Sequence, residues 1–188
     1  ASPNATLLDH PILSPQEWIN DPYFSGPLKR EAWPQKIKDF IEVAQGNITE
    51  VVVTGCIGWG KSWMMKAICA YDLYRLSCIK EPQIALGIGS AETIVMVLVS
   101  MNVTKSRAKL LTPLKAMLDM TPYFRDNFKY DPRKETVLDF PKNIRVLSGV
   151  TGEGAVHSED VIFLGVSECN FLPVVTNSKK KRGTDTLD

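Results

Sequence analysis

Residues 48–62 read Ile-Thr-Glu-Val-Val-Val-Thr-Gly-Cys-Ile-Gly-Trp-Gly-Lys-Ser. The opening part, Ile48 to Thr54, is largely β-branched and predicts a buried strand. The rest, Gly55-Cys56-Ile57-Gly58-Trp59-Gly60-Lys61-Ser62, fits the pattern GxxxxGKS. In that pattern glycines let successive backbone N–H groups turn inward around phosphate oxygens with no Cβ in the way. Lys61 adds charge for the β and γ phosphates. Ser62 opens a segment to Arg75 with no helix breaker, so its hydroxyl stands where Mg²⁺ is bound and the helix N-terminus favours the anion. Strand, glycine loop and helix in this order are the context the motif's mechanism requires.

Upstream, Ile37, Phe40, Ile41 and Ala44 recur at helical spacing after Pro34, and Gly46-Asn47 is a stop signal. Ahead of that helix, Pro3, Pro11, Pro15, Pro22 and Pro27 lie among mixed polar residues. This predicts an irregular arm that wraps the domain and stays out of its core. Downstream, the apolar runs Ile84 to Ile88 and Ile94 to Ser100, parted by Gly89-Ser90, predict two strands. Val103 to Met120 carries Val103, Leu110, Leu111, Leu114, Met117 and Leu118 on one helical stripe. Pro113 lies inside it and predicts a kink or a restart capped by Thr112. Thr136 to Phe140 and Asn143 to Leu147 flank Pro141-Lys142 as a hairpin does, and Val161 to Val166 is the last apolar strand. Strands alternating with helices predict an α/β P-loop NTPase fold, with a mainly parallel central sheet and helices on both faces. The expected division is an arm at 1–32, an ATPase core at 33–173 and a basic tail at 174–188.

Length and composition fit one such domain: 188 residues, 44% hydrophobic and 23% charged. The net charge of +1 predicts no polyanionic partner by itself, although a local basic patch can bind DNA while acids elsewhere cancel it. Cys56, Cys69, Cys78 and Cys169 include no CxxC pair, and the chain has two histidines. A zinc site is therefore not expected, and a reduced cytosol is the economical reading. A signal peptide and an apolar run of about 18 residues are both missing, which predicts a soluble intracellular protein.

Hydrolysis needs an acid beside the phosphate loop to hold magnesium and polarise water. Glu168 follows the apolar strand Val161 to Val166 and is the candidate for activating water. Before it stands Ser167, where the motif normally places the magnesium-binding aspartate. A hydroxyl is a poorer ligand than a carboxylate. Ser167 then acts through bound water, Asp160 or another acid substitutes, or catalysis is weak. Gln35, at the start of the first helix, is placed to pair its amide with an adenine edge. Arg107 and Lys105, with Lys109, lie on the polar side of the Val103 helix. They could meet DNA phosphates or a neighbouring subunit's γ-phosphate, though a solvated face is the commoner meaning of such a stripe. The run Lys179 to Arg182 is read as a flexible tail or a nucleic-acid contact, and His157 is given no role.

Taken together, Trp33-Pro34-Gln35, the loop Gly55 to Ser62, the strand Val97 to Ser100, Thr121-Pro-Tyr-Phe124, and Ser148-Gly149 leading to Ser167-Glu-Cys-Asn-Phe171 resemble the ATPase domain of the large terminase subunit. That family is the DNA-packaging motor of tailed bacteriophages. Ser167 and Cys169 depart from its acidic-pair signature. The resemblance implies adenine at Gln35, ATP phosphates and Mg²⁺ at Gly55 to Ser62, and a catalytic carboxylate at Glu168. It also implies double-stranded DNA, a portal protein and a small terminase subunit as partners, a homo-oligomeric ring, and action in the host cell cytoplasm. Terminases continue into a coupling motif and a nuclease, for which the 20 residues after Glu168 leave no room. The expectation is either a truncated ATPase core or a piece that lacks the protein's second half. Family members often carry an arginine shortly before the last strand; Gly154 to Glu159 contains none.

Overall fold

The computed structural model describes residues 7–46, 48–56, 58–100, 103–134, 136–150 and 160–167. Prolines start many of its helices. The missing N–H of a proline costs nothing in a first turn, and its fixed φ suits one. Pro15 opens α1 (Pro15–Asn20) and Pro22 opens α2 (Pro22–Ser25). Ser14 and Glu17 close a reciprocal capping box on α1, and the Asp21 side chain accepts from the Tyr23 N–H to cap α2. The segment expected to be irregular is thus partly helical, because its prolines begin helices that they were read as breaking. It also enters the core: Trp18, Ile19 and Leu28 are fully buried. It is tied to the following chain by hydrogen bonds: the Tyr71 hydroxyl donates to the Leu13 carbonyl (2.8 Å) and Trp63 Nε1 to the Leu28 carbonyl (3.1 Å).

Helix α3 (Pro34–Gln45) presents Ile37, Phe40, Ile41 and Ala44 to the core, as its spacing predicts. It packs on α4 (Lys61–Cys78), where Phe40 meets the rings of Trp63 (6.4 Å) and Tyr71 (6.0 Å). Between them, the strand expected at Ile48 to Thr54 does not form. Its described residues lie in no ladder, and Val52 is 76% exposed. β-Branching favours a strand only where a neighbouring edge and a buried face are supplied. The strand expected at Ile84 to Ile88 is also replaced. Pro82 starts a helical turn, α5 (Pro82–Ala85), and the buried Gln83 donates Nε2 to the Lys142 carbonyl at 2.7 Å.

Strand β1 (Ile94–Ser100) leads to α6 (Val103–Ser106), a π turn at Arg107–Leu111, α7 (Thr112–Met120) and α8 (Pro122–Asp126). Pro113 has no N–H to give, and the chain widens just ahead of it: the Thr112 N–H donates to the Arg107 carbonyl five residues back. A π turn and a helix restart at Thr112 thus stand where a kink or a capped restart was expected, with Leu111 in the N-cap position and no side-chain cap. Strands β2 (Val137–Phe140) and β3 (Ile144–Val150) form the expected antiparallel hairpin, and β4 (Asp160–Val166) completes a sheet of order β2-β3-β1-β4. β3 and β4 both run parallel to β1. This is the mainly parallel sheet of an α/β P-loop fold. Central β1 is buried throughout. Its Ile94, Met96 and Leu98 face the main core with α4, α7 and the aromatic side chains, while Val95, Val97 and Val99 pack with Leu147, Val161 and Val166.

Candidate phosphate-binding site

The loop before α4 is built as its glycines allow. Gly58 and Gly60 have φ of 90° and 99°, in the left-handed region that an L side chain rarely enters. Gly60 is the N-cap of α4, and no side chain caps that end. The opening N–H groups of a long helix therefore face the loop, in the arrangement that binds anions. Trp59 folds its ring over Gly55, where a Cβ would meet Trp59 Cγ at 3.3 Å. Lys61 lies in the first turn, with its ammonium across the mouth of the loop. It donates to the Gly55 carbonyl (2.7 Å) and the Cys56 carbonyl (3.0 Å). Cys56 and Ser62 are exposed, while Ile57 lies outside the described residues.

Helix α3 brings its first turn to the same place. Lys36 reaches Gly60, and its ammonium also sits 5.5 Å from the centre of the exposed Trp33 ring. Gln35, beside it in sequence, is exposed and donates Nε2 to Asp39 Oδ1 at 2.8 Å.

Strand β4 aims its C-terminal end at this region. Met65, one turn into α4, packs on Gly165 near the end of the strand. Ser167 follows and keeps the strand's course, its N–H donating to the Val99 carbonyl at 2.8 Å. Asp160 begins β4 and so stands at the opposite end from Ser167, roughly 20 Å away at about 3.3 Å per residue. Glu168 lies outside the described residues, as do His157, Cys169 and Lys179 to Arg182. Lys105 lies in α6 and Arg107 begins the π turn, both beyond the C-terminal end of β1. Among the described residues no three His, Cys, Asp or Glu side chains are grouped to hold a metal, and no helix is long and apolar enough to cross a membrane.

Between the unladdered segment at 48–53, α4 and β4 runs a groove of about 270 Å³ that includes Lys61, Met65, Asp72 and Val166 in its walls. Burial pushes the Asp72 carboxyl up to about 6, against the opposing pull of Arg75, whose guanidinium is 3.5 Å away. The sequence reading passed over Lys36, Gly165 and Asp72. Lys36 carried one usable signal, its place next to Gln35 in a helix that must pack near the loop.

Residues 35–172 match the family model described as the N-terminal P-loop domain of the uncharacterized protein MJ0330. The chain belongs to that family. The match spans the first turn of α3, the glycine loop and the end of β4, so the P-loop reading of Gly55 to Ser62 extends to the whole domain. A P-loop domain is a nucleotide-binding fold. Comparison with curated proteins gave no match, and neither did comparison with solved structures.

Proposed function

We propose that this P-loop domain binds and hydrolyses ATP, and that the hydrolysis moves double-stranded DNA into a viral procapsid. The observation that carries the nucleotide reading is the uncapped N-terminus of α4, preceded by two left-handed glycines and crossed by the Lys61 ammonium. Phosphate oxygens compete well for that ammonium, because a charged acceptor makes the stronger hydrogen bond. Lys61 would exchange the Gly55 and Cys56 carbonyls for the β and γ phosphates with little travel. The donor set suits Mg²⁺, which needs few protein ligands when phosphates and waters supply the others. Ser62 would hold it, with Ser167 acting through water at the end of β4; bound there, it would neutralise charge on the phosphates. Glu168 accepts a hydrogen bond from the attacking water and orients it in line with the γ phosphorus. The water oxygen bonds to that phosphorus as its bond to the β–γ bridging oxygen breaks, Glu168 receives the water's proton, and inorganic phosphate and ADP depart.

The packaging role rests on the terminase resemblance carried by Gln35, Ser148-Gly149 and the stretch Ser167 to Phe171. It brings with it a portal protein and small subunit as partners, a ring of copies, and a host-cytoplasm setting. A second reading, a nucleotide-binding module without turnover, is favoured by Ser167 at the magnesium aspartate's position. Phosphate release with Mg²⁺, measured with and without double-stranded DNA, separates the two. Lys61→Ala is expected to abolish nucleotide binding, and Glu168→Gln to retain binding while stopping turnover. Turnover unaltered in both variants would defeat the assignment, and binding without phosphate release would select the module. Turnover indifferent to DNA would remove the packaging role.

A further inference from the structure

Lys36 is a second cation aimed at the phosphate loop, and the GxxxxGKS pattern does not contain it. A Cβ built on Gly60 would stand 2.7 Å from Lys36 Cε and 3.2 Å from its Cδ, and would collide with Nζ. The ammonium therefore fills the space that Gly60's missing side chain leaves. Glycine at this position serves both the left-handed φ and the seat for Lys36. The lysine is half-buried, and among the described residues it makes no hydrogen bond or ion pair. The Trp33 ring is its one charge partner there, and that indole is 73% exposed. A lysine ammonium carries three N–H donors and no acceptor, so Lys36 has donors open beside the residue that carries a second ammonium, Lys61. An anion in the loop can accept from both.

We propose that Lys36 binds the polyphosphate tail of a nucleoside triphosphate, from α3, as a partner to Lys61. The proposal rests on the phosphate-loop reading and deepens it, since it ties α3, where Gln35 stands, to the ligand. Lysine is a fitting residue for the task because it acts as a flexible point charge toward phosphate. Gln35 and Lys36 are neighbours on one helical turn and point in different directions. A single ligand can meet the first with its base and the second with its phosphates.

The test is binding of ATP, ADP, AMP and inorganic tripolyphosphate to the full chain, by displacement of a fluorescent ATP analogue, for wild type, Lys36→Ala, Lys36→Arg and Lys61→Ala. The expected result is an ATP and tripolyphosphate Kd raised about tenfold in Lys36→Ala, the loss of one charge-assisted hydrogen bond. AMP affinity should hold, and Lys36→Arg should restore most of the ATP affinity. Wild-type ATP affinity in Lys36→Ala, with Lys61→Ala inactive in binding, overturns the proposal and leaves the phosphate loop standing. Equal losses for AMP and ATP, or loss of the folded state in both Lys36 variants, would make the lysine a packing residue and overturn it too. If wild type binds neither ATP nor tripolyphosphate, the phosphate-loop reading fails and takes this inference with it.

Discussion

Gly165 of β4 and Met65 of α4 compete for one space: a Cβ built on Gly165 would stand 2.9 Å from Met65 Sδ and 3.0 Å from its Cγ. Leu98 Cδ2 closes the other side at 3.1 Å. The bare backbone at 165 lets α4 lie close to the sheet, and the start of α4 is the phosphate loop. Gly165→Ala should therefore destabilise the chain by about 1–3 kcal/mol through overpacking, and weaken ATP binding because the helix start moves. Met65→Ala in the same chain removes the colliding atoms and should recover part of the loss. Urea unfolding of both single variants and the double variant tests this. Strictly additive effects would show that the two residues do not share the space.

The Lys142 ammonium joins three parts of the chain. It donates to Asp9 Oδ2 (2.6 Å), to the Ser77 carbonyl (2.8 Å) and to the Ile79 carbonyl (2.6 Å). Ser77 and Ile79 flank the last residue of α4, so the lysine satisfies carbonyls that a helix end leaves open. It does so from the β2–β3 turn, where its own φ is 60°. The bond to Lys142 holds the Asp9 carboxyl below its usual range. Lys142→Met keeps the stem and removes the donor, and should cost about 2 kcal/mol on the scale of hydrogen bonds to charged groups. Hydrogen exchange should quicken at the Asp9 and Lys80 amides, which donate to the Cys78 and Leu7 carbonyls. Unchanged exchange at both would refute the tie.

The glycine loop ahead of α4 was legible because Gly55 to Ser62 is contiguous, and the backbone needs only local φ freedom to make it. β1, β4 and the β2–β3 hairpin were legible for a similar reason, as short apolar runs bounded by turn residues. Ile48 to Thr54 and Ile84 to Ile88 have the same look but other outcomes. The first meets no neighbouring edge among the described residues, and Pro82 turns the second helical. Propensity reports what a residue tolerates, whereas a ladder needs a partner. Lys36 and Gly165 gain meaning only when α3 and β4 pack against α4, a relation between segments far apart in sequence. Asp72 likewise looks like any polar residue of a helix until the groove desolvates it.

That desolvation predicts a pH dependence. The Asp72 carboxyl titrates at about 6 in the folded chain and at its ordinary value of 3.8 when unfolded. Between those values the folded chain keeps a proton that the unfolded chain has released, so stability falls as pH rises from about 4 to about 6 and stays lower above it. At 1.36 kcal/mol per unit the loss is on the order of 3 kcal/mol. Asp72→Asn has no charge to bury, so it should be more stable than wild type at neutral pH and nearly equal to it near pH 4. The ion pair it gives up is with Arg75, 52% exposed, and such a surface pair contributes little. Urea unfolding of both proteins at several values from pH 4 to pH 7 isolates this group, since every other carboxylate is common to the pair. A stability difference that stays constant across that range would mean that the Asp72 carboxyl is not held protonated by the groove.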